Sequence, residues 1–372
     1  MSMNRDAFTR KIMQNETNKD YGRKGLVPLA AVTRNRHVES VHYGCICVVD
    51  PQGRIIYRKG DPDTKFYFRS SAKPIQVLPF IMSGGASAMN FSLKEIAIAC
   101  ASHSGEEMHQ KTVQGILERL GLDQSSLHCG TSVPYNRDES NRLIKAGKEP
   151  SPLHAGCSGK HAAMLAYSIY LGSDISNYEK IGHPVQQEVL RTIGFFADED
   201  PDGIPLGIDG CGLPIFLLPL RKMALSYAKL MKFADEPGNP YHKACKTVCD
   251  AMISYPEMIS GSKGFCTELM RVTRGKLIGK IGAEAVYCLG IKEGCLGACV
   301  KIADGGERAV YPVVIQLLLE LGFLNRDEYE KLKRWHHIGV MNNLKEHVGD
   351  IIPVFQLDKP VSLGDKLFVY DL

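Results

Sequence analysis

The chain has 372 residues, 44% of them hydrophobic and 23% charged, and a formal net charge of +4. That composition supports a large buried core, and the charge is spread without a basic block, which excludes a nucleic-acid footprint. No stretch approaches the roughly 20 apolar residues of a membrane helix, so no membrane partner is expected.

The opening residues are polar and lack the apolar core of a secretory signal. They read as an arm over residues 1–25, ahead of a single two-lobed domain over 26–372. Twelve cysteines in a chain of this length without a signal read as reduced thiols of a cytoplasmic protein, most of them small core residues.

Residues 40–58 read as a β-hairpin, SVHYGCICVVD and RIIYRKG joined at a Pro-Gln-Gly turn. In SSAKPIQVLPFIMSGG the apolar residues recur every three or four positions, as in a helix. Ser70 or Ser71 can cap that helix, and Pro74 is tolerated in its first turn. FSLKEIAIACASH, EMHQKTVQGILERLG, LPLRKMALSYAKLMKFAD and YHKACKTVCDAMISY also carry helical spacing. Two Gly- and Pro-rich stretches, 133–161 and 197–214, read as irregular, and irregular segments of that length in a compact domain are usually functional or disordered. Strand character returns over 276–303, followed by the helices ERAVYPVVIQLLLELG and RDEYEKLKRWHH. The order predicts an α+β fold: an antiparallel sheet from both chain ends, with a helical insertion between. The sheet lobe takes about 26–66 and 270–372, the helical lobe about 67–269.

Three groups of residues suggest chemistry. In Ser70-Ser71-Ala72-Lys73, positions 70 and 73 share a helix face, and a neutral lysine can activate a serine. Holding that lysine neutral near pH 7 means overcoming roughly 4 kcal/mol of its preference for the proton. The same spacing recurs at Ser226/Lys229, which reads as a solvated helix face, and at Ser260/Lys263, in a loop. The second group, Cys100-Ala-Ser102-His103-Ser104-Gly105-Glu106, is either a site lining or a polar helix end stopped by Gly105. No Gly-x-Ser-x-Gly elbow supports a Ser–His–Asp hydrolase. The third group joins His154-Ala-Gly-Cys157-Ser-Gly-Lys160-His161 to Asp209-Gly-Cys211-Gly. It can be read as a thiolate metal site, as buried thiols, or as a lone cysteine nucleophile. Composition alone favours His161 as the nitrogen ligand. Cys245 with Cys249, and Cys295 with Cys299 on one strand face, read as structural.

RSSAKPIQVLP, EIAIACASHSGEE, LHAGCSGKHAAML, GIDGCGLPIF and KIGAEAVY, in this order across about residues 30–325, carry a family resemblance. The chain resembles the rhizobial-type, class 3 L-asparaginases, also called the asparaginase II family. The resemblance implies a serine β-lactamase- and glutaminase-like fold and hydrolysis of L-asparagine to L-aspartate and ammonia. Ser70 would be the nucleophile with Lys73 as its partner, and Ser102 with Lys280 a second Ser–Lys pair. Cys157, Lys160 and Cys211 would hold zinc, although a lysine must lose its proton to bind it. Asp209 and His161 would line the substrate pocket, Arg69 would hold the substrate carboxylate, and the protein would be a homodimer. Glutaminase or mixed amidase activity and a non-catalytic metal-binding sensor are the alternatives. One methylene separates glutamine from asparagine, worth only about 1–3 kcal/mol in a pocket.

Overall fold

The computed structural model describes residues 25–35 and 37–356. The arm read at 1–25 therefore lies outside the described residues, Gly25 excepted, as do residues 357–372 of the expected sheet lobe.

The strands of the main sheet come from both ends of the chain. The N-terminal part supplies β1 (Val27–Arg34), β2 (His37–Val49) and β3 (Ile55–Lys59), with Gly53 in the hairpin turn at φ +78°. β4 (Lys65–Tyr67), β5 (Leu206–Ile208) and β6 (Pro214–Pro219) form a separate small sheet in the order β4-β6-β5. β7 (Leu277–Gly282), β8 (Val286–Ile291), β9 (Leu296–Ile302), β10 (Ile338–Met341) and β11 (His347–Pro353) return to the main sheet. Its order is β10-β11-β1-β2-β9-β8-β7, with β3 added to β2. Every described pairing is antiparallel. With its helices, the protein is α+β.

Five helices organise the interior: α1 (Leu93–Ala99), α2 (Ser158–Tyr170), α3 (Leu220–Ala234), α4 (His242–Ser254) and α5 (Glu307–Glu320). All residues of β8 and β9 are buried, so both faces of the sheet are covered. α3 lies on one face, so close to β9 that a Cβ on Gly297 would stand 1.9 Å from the Ala224 carbonyl oxygen. Gly297→Ala should therefore cost about 2–3 kcal/mol or prevent folding, read as a lower urea midpoint. α5 packs across β1, β9 and β11 and closes the opposite face.

Register fixes where the sheet points its one buried lysine of β7. Lys280 stands opposite Cys288, Cys288 opposite Cys299, and Cys299 opposite Cys47. Directly opposed residues share a face, and Cys299 Sγ lies 4.0 Å from Met223 Sδ of α3. The row therefore faces the helices, and Lys280 at its end enters the seam between the lobes.

Several expectations change. The segment after Phe68 is not one helix: a 3₁₀ turn, Arg69–Ala72, leads into Lys73–Gln76 and then Leu78–Met82, with Pro74 and Pro79 marking the breaks. Neither serine caps it; Ser71 Oγ donates to the Phe68 carbonyl at 2.5 Å. The stretch 133–161 contains a nine-residue helix, Arg137–Lys145, whose start Asn136 caps through the Glu139 N–H. The stretch 197–214 contains a 3₁₀ turn and β5. Ser226 and Lys229 are not a solvated face but buried, Lys229 pairing with Asp198 and donating to the Phe195 carbonyl. Cys295 lies in a 3₁₀ turn ahead of β9 rather than on a strand face with Cys299.

Candidate active site

Three chain segments meet under one hydroxyl. α1 ends at Ala99, and residues 100–105 run on in irregular backbone rather than as a helix end. Backbone bonds hold that run: Ser102 N–H donates to the Ile259 carbonyl at 3.0 Å, and His103 N–H to the Gly156 carbonyl at 3.2 Å. Ser102 Oγ then sits 2.8 Å from Lys280 Nζ and 3.1 Å from Lys73 Nζ. Both lysines are fully buried. Lys73 also donates to the Ala101 carbonyl and lies 3.3 Å from Cys157 Sγ, while Lys280 donates to the Ile281 carbonyl at 2.6 Å.

A serine hydroxyl has one hydrogen to give, so an amine that takes it must be neutral. Of the two, Lys280 is the one drawn toward that condition, and it meets it above neutral pH. Burial, reinforced by the like charge of Lys73, brings it down to about 7.

Above this hub lies a cleft of about 440 Å³, lined among others by Arg69, Ser70, Ser102, Ser104, Asp209 and Glu307. Ser70 faces it with a side chain that makes no hydrogen bond among the described residues; the lysine at position 73 turns to Ser102 instead. β7 runs close beside this turn, where a Cβ on Gly282 would approach Ser71 N to 3.0 Å. Arg69 has a left-handed φ of +48°, a conformation costing about 1–3 kcal/mol. Its guanidinium is held by Asp209, at 2.9 and 3.1 Å from one carboxylate oxygen.

The two glycine-flanked thiols come together. Cys157 Sγ, Cys211 Sγ and an Asp209 carboxylate oxygen lie within 4.8 Å of one another, close enough to share one ion. A hydrogen bond from Cys211 holds the Cys157 thiol well below its usual range, burial opposing and Lys73 and Lys160 assisting. Lys160 is buried beside them. Burial alone would lower it, but facing Cys211, Cys157 and Asp209 raises it.

His161 is placed differently. It is fully buried and does not line the cleft. Tyr178 Oη accepts the His128 N–H at 2.8 Å, leaving its own hydrogen for His161 Nδ1 at 2.6 Å. His161 Nε2 has no partner among the described residues, and burial pushes the imidazole well below its ordinary value.

His103 is likewise a strut rather than a lining residue. Its Nδ1 accepts the Gly105 N–H at 3.2 Å, so Nε2 carries the hydrogen and donates to Ser158 Oγ at 2.8 Å, tying the Ser102 loop to the start of α2. The sequence offered no sign of Glu307 and Tyr311 in the cleft. Only their i,i+4 spacing at the start of a helix was available, and that says nothing about which loops they face.

A hydroxyl between two buried amines at the floor of an open cleft is a site suited to acyl transfer. A family model described as L-asparaginase II matches residues 30–353, and the chain belongs to that family of amidohydrolases. No curated protein matches it. Among solved structures it is similar to Mglu in its native form at 4.3 M NaCl, with 14% identity and a TM-score of 0.42 over 76% of this chain and 61% of that one. The chain thus spans about three fifths of Mglu. It is also similar to a protein provisionally described as a β-lactamase from Bacteroides dorei DSM 17855, with 13% identity and a TM-score of 0.40 over 84% of this chain and 98% of that one. A class C β-lactamase from Rhodobacter sphaeroides gives 12% identity and a TM-score of 0.37 over 89% and 97%. At such scores these likenesses say nothing of what this chain acts on. Among the described residues no helix is long and apolar enough to cross a membrane.

Proposed function

We propose that the chain is an L-asparaginase, hydrolysing the side-chain amide of L-asparagine to L-aspartate and ammonia through a serine acyl-enzyme. The observation that carries this reading is the Ser102 hydroxyl between Lys280 and Lys73. Family membership and a cleft large enough for an amino acid support it.

Ser70, unbonded and facing the cleft, is the proposed nucleophile, with Lys73 one turn further along. Its oxygen bonds to the amide carbon while its proton passes by way of Ser102 to the neutral amine of Lys280, backbone N–H groups steady the oxyanion, and the carbon–nitrogen bond breaks. The Ser102–Lys280 pair delivers the proton that lets nitrogen leave as ammonia, and water then cleaves the aspartyl ester. Arg69 and Asp209 orient the substrate. His161, buried behind them, is tied through the Tyr178 hydroxyl to the backbone at His128.

A second reading exchanges the two serines, because both lysines contact Ser102 and neither contacts Ser70. Acid-quenched turnover followed by peptide mapping separates them. An aspartyl adduct on the peptide bearing Ser70 supports the first, and one on Ser102 the second.

Zinc is the proposed metal. Two thiols and a carboxylate in reach of one another are donors it accepts. Cys157 and Cys211 would hold it, joined by Asp209 and by Lys160 once that amine gives up its proton. The ion would supply positioning for the substrate. Metal analysis of the purified protein should find about one zinc per chain, and Cys157→Ser should remove it.

A homodimer in the cytoplasm completes the proposal; twelve free thiols suit a reducing compartment. Ammonia release from asparagine and glutamine, with and without chelator, tests the whole. Faster release from glutamine would favour the glutaminase, and none from either the sensor.

A further inference from the structure

Of the charged side chains lining the cleft, Arg69 and Asp209 neutralise each other. The third, Glu307, is exposed and has no ion pair and no side-chain hydrogen bond among the described residues. It gives the cleft a carboxylate that no side chain pairs with among the described residues.

That charge stands on a rigid support. Glu307 opens α5 directly after a turn in which Asp304 accepts the Gly306 N–H at 2.9 Å. The same carboxylate takes His42 Nδ1–H at 2.6 Å, and Arg308 Nε donates to His42 Nε2 at 3.1 Å. Tyr311, one turn further along α5, lines the same cleft. Desolvation at the cleft wall raises the Glu307 carboxyl above its ordinary value, with Lys280 opposing and Glu284 adding to the rise.

An amino-acid amide brings a carboxylate and an ammonium group into this cleft, and an ammonium taken from water needs an anion to face. We infer that Glu307 receives the substrate's α-ammonium group and so makes the site selective for amides that carry a free amino group. The inference rests on the amidohydrolase reading for its substrate class, but its first test does not require turnover.

Calorimetry with L-aspartate and with succinate, which is aspartate without its amino group, compares the wild type with Glu307→Gln and Glu307→Asp. The wild type should prefer aspartate. Glu307→Gln should lose about 10- to 100-fold in aspartate affinity with succinate unchanged, and Glu307→Asp should recover most of the loss. In turnover, L-asparagine should suffer in KM rather than kcat, while succinamate does not. Equal weakening of both ligands would reduce Glu307 to a structural role, and no change in either would leave it as a first-turn partner of the α5 dipole. Either result overturns the inference. Loss of aspartate selectivity in a protein that releases no ammonia from any amide would uphold Glu307 and sink the amidase reading alone.

Discussion

Lys280→Met should give a protein that is nearly inactive and more stable than the wild type below neutral pH. The expected loss in kcat is about 10²- to 10⁴-fold, the usual worth of a placed proton-transfer group. The stability gain follows from where the proton is held. In the folded chain Lys280 binds it only below about 7, whereas in the unfolded chain it does so up to about 10.4. Between those values the unfolded state binds more protons, so the wild type gains stability as pH rises from 7 to 10 and carries the full burial cost below 7. Methionine removes that cost, a gain of about 2–4 kcal/mol at pH 6 after allowing for two lost hydrogen bonds. Urea unfolding at pH 6 and pH 9 should show the advantage shrinking at the higher value. A variant no more stable than wild type at pH 6 would mean that Lys280 is not held in low dielectric. In the wild type, kcat/KM should climb through pH 7 as Lys280 loses its proton.

Ser102→Ala should be as damaging to turnover, about 10²- to 10⁴-fold, and should also destabilise. Removing the hydroxyl takes one hydrogen bond from Lys280 and another from Lys73, both fully buried, at a cost of about 1–3 kcal/mol. Opposite stability changes in the two variants, with similar losses of activity, form a signature that a merely local packing defect would not produce. Near-full turnover by Ser102→Ala would remove this hydroxyl from the chemistry.

Much of the sheet was legible because its signals are local. Period-two alternation and the Gly53 turn define β2 and β3, and the runs at 276–303 become β7, β8 and β9. Reading strands at both chain ends around helices was enough for the α+β class. What stayed hidden was set by partners distant in sequence. Three-residue spacing put Lys73 with Ser70, yet the side chain finds an unfilled backbone acceptor at Ala101, a hydroxyl at Ser102 and a thiolate at Cys157. No local rule encodes that competition. Arg137–Lys145 was missed because a nine-residue helix among glycines and prolines shows little more than its Asn136 cap. The surroundings of His161 are equally hidden, because the Tyr178 hydroxyl bonded to its Nδ1 lies 17 residues away.

Ser102 is 29 residues from Lys73 and 178 from Lys280. The reactive assembly therefore does not exist in any one fragment, nor in a chain whose sheet has formed without its helical half. Until the lobes close, Lys280 stands in water as an ordinary cation and has nothing to offer a hydroxyl. Closure of the last long loop and the birth of a competent base are one event, so a nascent or partly folded chain is chemically silent.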